Sequence, residues 1–212
     1  MRATLLLLLG AASVQAQEGA RPIVPTNGVD EKPRRGAYVE TSLGVFTVIG
    51  GKPALSTAQP YLGLSIGRQI GEAAAVFGSL GLGAASASCF QLDARGDTCL
   101  GADSFGATFI EVGGSYGFAT GRRSWLSLKL LGGFTDLSPG PVRTGAGVPD
   151  HLPGFHLGAG LAFDYATRLD HFAVGIDALQ RYTFARYTPA GGSRQTLWVP
   201  SLAVLPRIRY VF

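Results

Sequence analysis

The sequence TLWVPSLAVLPRIRYVF at residues 196–212 decides the expected fold, because large apolar side chains recur at every second position. Side chains with this period lie on one face of a β-strand. One face holds Trp198, Leu202, Val204, Ile208, Tyr210 and Phe212, and the other holds Ser201, Ala203, Leu205, Arg207 and Arg209. The segment therefore predicts a strand that is apolar on one face and small or basic on the other.

The same period recurs along the chain and predicts eight strands. Each is long enough for a tilted membrane strand, which needs about 9 to 11 residues. The predicted strands cover residues 37–49, 59–68, 73–87, 104–118, 124–134, 154–166, 172–187 and 196–212. Short connections alternate with longer ones at 50–58, 88–103, 135–153 and 188–195, as in barrels with short periplasmic turns and long external loops. We therefore predict an all-β fold, a transmembrane antiparallel up-and-down β-barrel of eight strands.

Composition supports a membrane barrel over a soluble domain. The chain is 46% hydrophobic but only 15% charged, against about 25% charged residues in typical soluble domains. A soluble β-sandwich or lipocalin-like barrel is the alternative, in which the same alternation points apolar residues inward. The net charge of +4 is not concentrated in one basic patch, which argues against nucleic-acid binding.

Eight charged residues fall on the inward face of the predicted strands. The acids are Glu40, Glu111, Asp164 and Asp177, and the bases are Lys129, Arg181, Arg207 and Arg209. An eight-stranded barrel encloses a lumen that side chains just fill, so these charges are expected to pair. Glu111 and Lys129 lie on strands joined by a tight turn, which makes them expected partners. A salt-bridged plug is favoured over an ion path, because the signs balance.

The N-terminal residues predict a cleaved export signal. A charged start and a short apolar core precede the small-x-small sequence Val14-Gln15-Ala16, so the signal peptide is expected to be residues 1–16. Residues 17–35 are polar, rich in proline and without a period, and predict a disordered periplasmic tail. The barrel is then residues 36–212.

Cys89 and Cys99 lie in one predicted external loop. In an oxidising envelope the simplest expectation is a disulfide that constrains this loop, with free thiols as the alternative. Two cysteines without a nearby histidine make a poor metal site, so no metal site and no cofactor is expected.

The three histidines do not predict a catalytic site. His156 is expected to point inward, His151 lies in a long loop and His171 lies at a periplasmic turn, so no two are placed to share chemistry. No Ser/His/acid spacing is recognisable. We therefore expect the chain not to be an enzyme.

The chain resembles two groups of known proteins, one in the layout of its strands and the other in short sequence motifs. The layout of residues 36–212 resembles small outer-membrane barrels of the OmpA, OmpX and OmpW kind, and the terminal strand resembles the signal that the barrel assembly machinery reads, here Ile208, Tyr210 and Phe212. The sequences GAYVET at 36–41, IGRQIG at 66–71 and PRIRYVF at 206–212 are similar to the CglE family of gliding-motility outer-membrane barrels. That similarity implies a non-enzymatic part of an envelope-spanning gliding apparatus.

These observations together predict a protein of the outer membrane of a Gram-negative bacterium. The expected role is that of a structural or interaction component of an envelope-spanning machine. The alternatives are a small passive channel and a lipid-modifying enzyme. The expected partners are outer-membrane lipid, the barrel assembly machinery and other envelope proteins, with no nucleic acid.

Overall fold

The computed structural model describes residues 36–50, 52–71, 73–88, 104–120, 123–169, 171–189 and 192–212. Within these residues the chain forms nine antiparallel strands. They are β1 Ala37–Val48, β2 Lys52–Thr57, β3 Gln59–Ile70, β4 Ala74–Ser88, β5 Phe105–Ala119, β6 Ser124–Ser138, β7 Leu152–Ala166, β8 Phe172–Tyr187 and β9 Gln195–Val211. No described segment is a helix long and apolar enough to cross a membrane.

Eight of these strands close into a ring in the order β4-β3-β1-β9-β8-β7-β6-β5, with β5 pairing back onto β4. A row of paired residues that starts at Phe172 in β8 and passes through Tyr210 and Val39 returns to β8 at Tyr182, ten residues further on. Eight strands with a shear of ten imply a strand tilt of about 40°. The predicted fold class is thereby confirmed.

The outer wall of the ring is apolar and the inner wall carries the charges. Large outward side chains are exposed on every strand of the ring, among them Leu43, Leu64, Leu80, Val112, Leu130, Leu157, Ile176 and Ile208. A closed sheet leaves no unpaired edge, which is the condition for spanning hydrocarbon with strands. The chain is therefore an outer-membrane β-barrel surrounded by lipid, and a soluble sandwich with apolar residues inside is excluded.

Aromatic side chains mark both edges of the apolar wall. Phe184 and Trp198 face each other near the external end of β8 and β9, with ring centroids 4.6 Å apart. Phe172 and Tyr210 face each other near the periplasmic end, at 5.1 Å. The two pairs are twelve residues apart along either strand, which at this tilt is about 30 Å and matches the hydrocarbon thickness of a bilayer.

At the external end of the barrel, the strands extend further than the sequence predicted. Residues 50–58 were expected to be an external loop, but β2 lies there and pairs with the end of β4. The Ser56 hydroxyl accepts a hydrogen bond from the Val48 backbone N–H at 2.9 Å, and Gly50 adopts a φ of 99° where the chain reverses. Strands β6 and β7 likewise extend to Ser138 and Leu152, which shortens the expected loop at 135–153.

Candidate functional site: the charged interior of the barrel

All eight predicted interior charges lie inside the barrel. Seven are almost fully buried, and the side chain of Arg209 at the periplasmic end is 20% exposed. They form two groups. The periplasmic cluster consists of Glu40, Lys129, Asp164, Asp177, Arg207 and Arg209, and the central cluster is built around Glu111 and Arg181.

Arg207 is the centre of the periplasmic cluster. Its Nε lies 2.7 Å from Asp177 Oδ1 and its Nη2 lies 2.8 Å from Asp164 Oδ2, while Nη1 contacts Glu40 Oε2. A Cβ atom at Gly175 would lie 2.9 Å from Asp164 Oδ1 and 3.1 Å from Arg207 Nε. The glycine therefore leaves the space in which this guanidinium reaches three carboxylates.

Two further bases complete the periplasmic cluster. Lys129 Nζ lies 2.5 Å from Asp177 Oδ2 and 3.4 Å from Glu40 Oε1. Arg209 Nη2 lies 2.9 Å from Glu40 Oε2, and its guanidinium sits 4.5 Å from the centre of the Tyr38 ring. Three acids thus face three bases, so the cluster carries no formal net charge. Each buried charge has a partner, as burial in low dielectric requires.

The central cluster is organised by Arg181, which is 1% exposed. Its Nε donates to Glu111 Oε1 at 2.5 Å and its Nη2 donates to the Tyr61 hydroxyl at 3.1 Å. Its guanidinium carbon lies 4.9 Å from the centre of the Phe109 ring and 5.3 Å from that of Tyr61. Ion pairing and cation–π contact together hold the arginine in a single position across the lumen.

Glu111 has two additional neighbours. Ser79 Oγ donates to its Oε2 at 2.9 Å, and His156 Nε2 lies 3.0 Å from its Oε1. The other ring nitrogen of His156 lies 2.6 Å from Thr135 Oγ1. The carboxylate is therefore held by side chains from three other strands, β4, β7 and β8.

The expected pairing of Glu111 with Lys129 is wrong. Lys129 contacts Glu40 and Asp177, whereas Glu111 contacts Arg181 and His156. The reason is the register of β5 and β6, in which Glu111 pairs with Gly133 and Lys129 pairs with Ser115, so the two charges lie four residues apart along the strands.

An apolar layer fills the lumen on the external side of the central cluster. Phe46, Phe105 and Leu137 are almost fully buried there and belong to one cluster of contacting side chains. Pro141 and Val142, from the connection between β6 and β7, are also fully buried. This connection was expected to be an external loop, and part of it packs against the buried core instead.

Two small cavities lie among the charged side chains. One of about 80 Å³ is at the periplasmic end and is lined by Tyr38, Trp125, Asp164 and Arg209, among others. The other, of about 20 Å³, lies between the two clusters, beside Glu40, Lys129 and Arg181. The smaller cavity has room for about one water molecule.

The three histidines lie in separate environments. His156 is buried in the central cluster, while His151 Nδ1 lies 2.7 Å from Asp136 Oδ2 in an exposed position beyond the barrel. His171 is at the periplasmic end, where its Nδ1 lies 2.7 Å from the Val211 carbonyl oxygen. Within the described ranges, no group of three or more histidine, cysteine and acidic residues is placed to hold a metal ion.

The residues of the expected assembly signal lie on the outer wall at the periplasmic edge. Ile208 is 55% exposed and Phe212 is 66% exposed. The Tyr210 and Phe212 rings are in edge contact at 5.1 Å, and the Phe212 N–H donates to the Ala37 carbonyl at 2.9 Å. These side chains therefore face lipid rather than the barrel interior.

Sequence reasoning missed the neutral partners of the central cluster. Tyr61 and Ser79 share the inward parity of their predicted strands, so the alternation alone marks them as interior polar groups. Thr135 lies one residue beyond the predicted strand at 124–134 and is interior because β6 extends to Ser138. The burial of Pro141 and Val142 had no such signal, because loop residues follow no period. Cys89, Cys99, the expected signal peptide at 1–16 and the expected tail at 17–35 lie outside the described residues.

Comparison with known proteins supports the fold. Neisserial surface protein A is similar to this chain with a TM-score of 0.58 and 15% identity, over 84% of this chain and 97% of that one. At this identity the similarity concerns the fold alone. No family model matches the chain, and no curated protein matches its sequence.

Two other solved structures show weaker similarity. Ail, the attachment invasion locus protein of Yersinia pestis, has a TM-score of 0.44 at 15% identity, over 84% of this chain and all of that one. The outer membrane protease OmpT from Escherichia coli has a TM-score of 0.44 at 7% identity, over 87% of this chain and all of that one. Neither carries an argument about what this chain does.

Proposed function

We propose that this chain is a non-enzymatic, non-conducting outer-membrane barrel that serves as a structural and interaction component of an envelope-spanning machine. The observation that carries the proposal is the filled lumen. Paired charges cross it in the periplasmic half, and buried apolar side chains fill its external half. A scaffold needs a rigid barrel, and this interior stabilises one without leaving a path for solutes.

Conductance measurements separate this proposal from the passive channel. The purified full-length protein is reconstituted into a planar lipid bilayer beside an outer-membrane porin as a positive control. We expect no stable single-channel current from the chain while the porin conducts. Reproducible discrete openings from the folded protein would establish the channel alternative and refute the filled lumen as a barrier.

The placement of the histidines supports a non-enzymatic role. His156 is enclosed among Glu111, Thr135 and the Phe109 ring, out of reach of a lipid or peptide substrate. The exposed pair of His151 and Asp136 has no described nucleophile bonded to it. Expression in a heterologous outer membrane should leave the mass spectrum of lipid A unchanged, and a new lipid A species that depends on His151 would overturn this part of the proposal.

We further propose that the machine is a gliding apparatus, as the similarity of residues 36–41, 66–71 and 206–212 to the CglE family implies. In this proposal a cleaved signal at 1–16 exports the chain, the barrel assembly machinery inserts it, and a Cys89–Cys99 disulfide shapes the external loop for docking. Crosslinking in native membranes with identification of the captured proteins by mass spectrometry tests the assignment. Recovery of envelope motility components would support it, and normal gliding of a deletion strain would refute it.

A further inference from the structure

The lipid-facing wall has a groove where β3, β4 and β5 adjoin. It is lined by Ile66, Arg68, Val76 and Val112 together with the glycines Gly78 and Gly114. The apolar side chains at its borders are among the most exposed in the molecule, with Ile66 at 67% and Val112 at 71%. The groove is therefore open to the membrane rather than to the lumen.

The two glycines that form the floor of the groove are not required by packing. A Cβ atom built at Gly78 would find its nearest neighbour at 3.8 Å, and one at Gly114 at 3.6 Å, which are ordinary contact distances. By contrast, a Cβ at the inward Gly113 would lie 2.6 Å from Phe77 Cζ. Glycine within a strand is unfavourable unless something approaches its backbone closely. At Gly78 and Gly114 nothing in the barrel does so.

The positively charged side chain of Arg68 lies at the periplasmic end of this groove. Arg68 lies on the outer face of β3 two residues before the strand ends at Ile70, and it pairs with Val76, which pairs with Gly114. It is exposed and makes no ion pair with any residue in the described part of the chain. Its guanidinium is thus positioned at the inner headgroup layer, with the apolar groove extending from it toward the middle of the membrane.

We propose that this groove binds a phospholipid of the periplasmic leaflet that carries a net negative charge. One acyl chain lies against the backbone at Gly78 and Gly114, between the side chains of Ile66 and Val112. The lipid phosphate accepts hydrogen bonds from Arg68, whose planar guanidinium matches phosphate geometry. The inference is independent of the proposed function.

The test uses the full-length protein, refolded in a mild detergent and supplied with dimyristoyl phosphatidylglycerol or dimyristoyl phosphatidylcholine. Native mass spectrometry measures how much of each lipid stays bound. We expect wild-type protein to retain one phosphatidylglycerol molecule in preference to phosphatidylcholine. Arg68→Gln should lower phosphatidylglycerol retention about fivefold, the effect of one basic side chain at a membrane surface.

Filling the groove tests the acyl-chain contact separately. Gly78→Val combined with Gly114→Val should fold, because valine suits strands and has space at both positions, and should lower retention of both lipids. Two controls should behave as wild type. Ala178→Val enlarges an outward small residue on β8, away from the groove, and Arg168→Gln removes an exposed cation from another periplasmic turn.

Three results would overturn the proposal. The first is equal phosphatidylglycerol retention in wild type and Arg68→Gln, and the second is an equal loss in Arg168→Gln, which would indicate general electrostatic attraction. The third is a wild-type protein that forms a dimer and binds no lipid, together with a Gly78→Val, Gly114→Val variant that is monomeric. That result would assign the groove to contact between two barrels. Heat-modifiable gel migration verifies folding, and Arg68→Gln decides the test alone if the valine pair does not fold.

Discussion

Lys129 Nζ lies 3.4 Å from Glu40 Oε1 although their strands, β6 and β1, stand four places apart in a ring of eight and so on opposite walls. The same ammonium reaches Asp177 at 2.5 Å. A single lysine therefore ties three strands together across the lumen, and the barrel is held by its interior as well as by its sheet.

Replacing Lys129 tests this cross-lumen tie. Lys129→Leu should destabilise the barrel by about 3 kcal/mol, because it leaves buried carboxylates with one fewer cation while Arg207 still faces them. Urea unfolding in lipid vesicles measures the loss. Adding Asp177→Asn should recover part of the stability by removing one of the stranded charges. A double variant no more stable than the single one would contradict this account.

Placing a charge on the outer wall tests its contact with hydrocarbon. Leu130→Arg should cost about 2 to 4 kcal/mol, since Leu130 is 58% exposed near the middle of the apolar band. Leu169→Arg is the matched control, because Leu169 is 68% exposed but lies in a periplasmic turn. Similar unfolding free energies for the two variants would mean that the band is misplaced.

Phe212 is expected to matter for insertion more than for packing. Phe212→Ser keeps the backbone bond to Ala37 but removes the aromatic ring from the final strand, so folded yield in cells should fall. Phe118→Ser removes an aromatic side chain that is 52% exposed near the same edge of the membrane and should leave the yield nearly unchanged. Heat-modifiable migration reports the folded fraction. Equal yields for the two variants would argue against a terminal assembly signal.

The disulfide prediction concerns the external loop. A Cys89–Cys99 bond would close a loop of about 11 residues and constrain it by roughly 2 to 3 kcal/mol. Replacing both cysteines with serine should leave barrel formation intact but impair partner capture or motility. Reaction of the untreated wild-type protein with maleimide would disprove the bond. Full function of the double variant would disprove the docking role.

The alternation of side chains was sufficient to predict the strands of the ring. Strand β8 occupies the predicted residues, and β9 differs from the prediction by one residue at each end. The alternation of side chains is a property of the strand backbone, so it does not depend on which strands lie beside it. It also determines the face on which each residue lies, which is why Glu40 and Arg207 were expected inside.

Partners across the lumen were not predictable in the same way. The contact of Lys129 with Glu40 depends on the shear of the barrel. Shear is the sum of the registers of all the strand pairs, so the sequence of one strand or one pair does not determine it. The hairpin extension at β2 was missed because its residues carry no clear alternation. Burial of Pro141 and Val142 depends on where a loop meets the core, and loops have no period to reveal it.

The charged interior also bears on how the chain completes its ring. Strands β1 and β9 are the first and last of the barrel, and Glu40 sits directly opposite Arg209 where they join. Until that seam closes, Glu40 lacks both Arg207 and Arg209, whereas Asp164 and Asp177, on β7 and β8, lie on the same side of the seam as Arg207. Glu40 thus gains two arginine partners only when β1 and β9 pair. The cluster therefore favours ring closure, because an open ring is destabilised electrostatically as well as by its unpaired backbone groups.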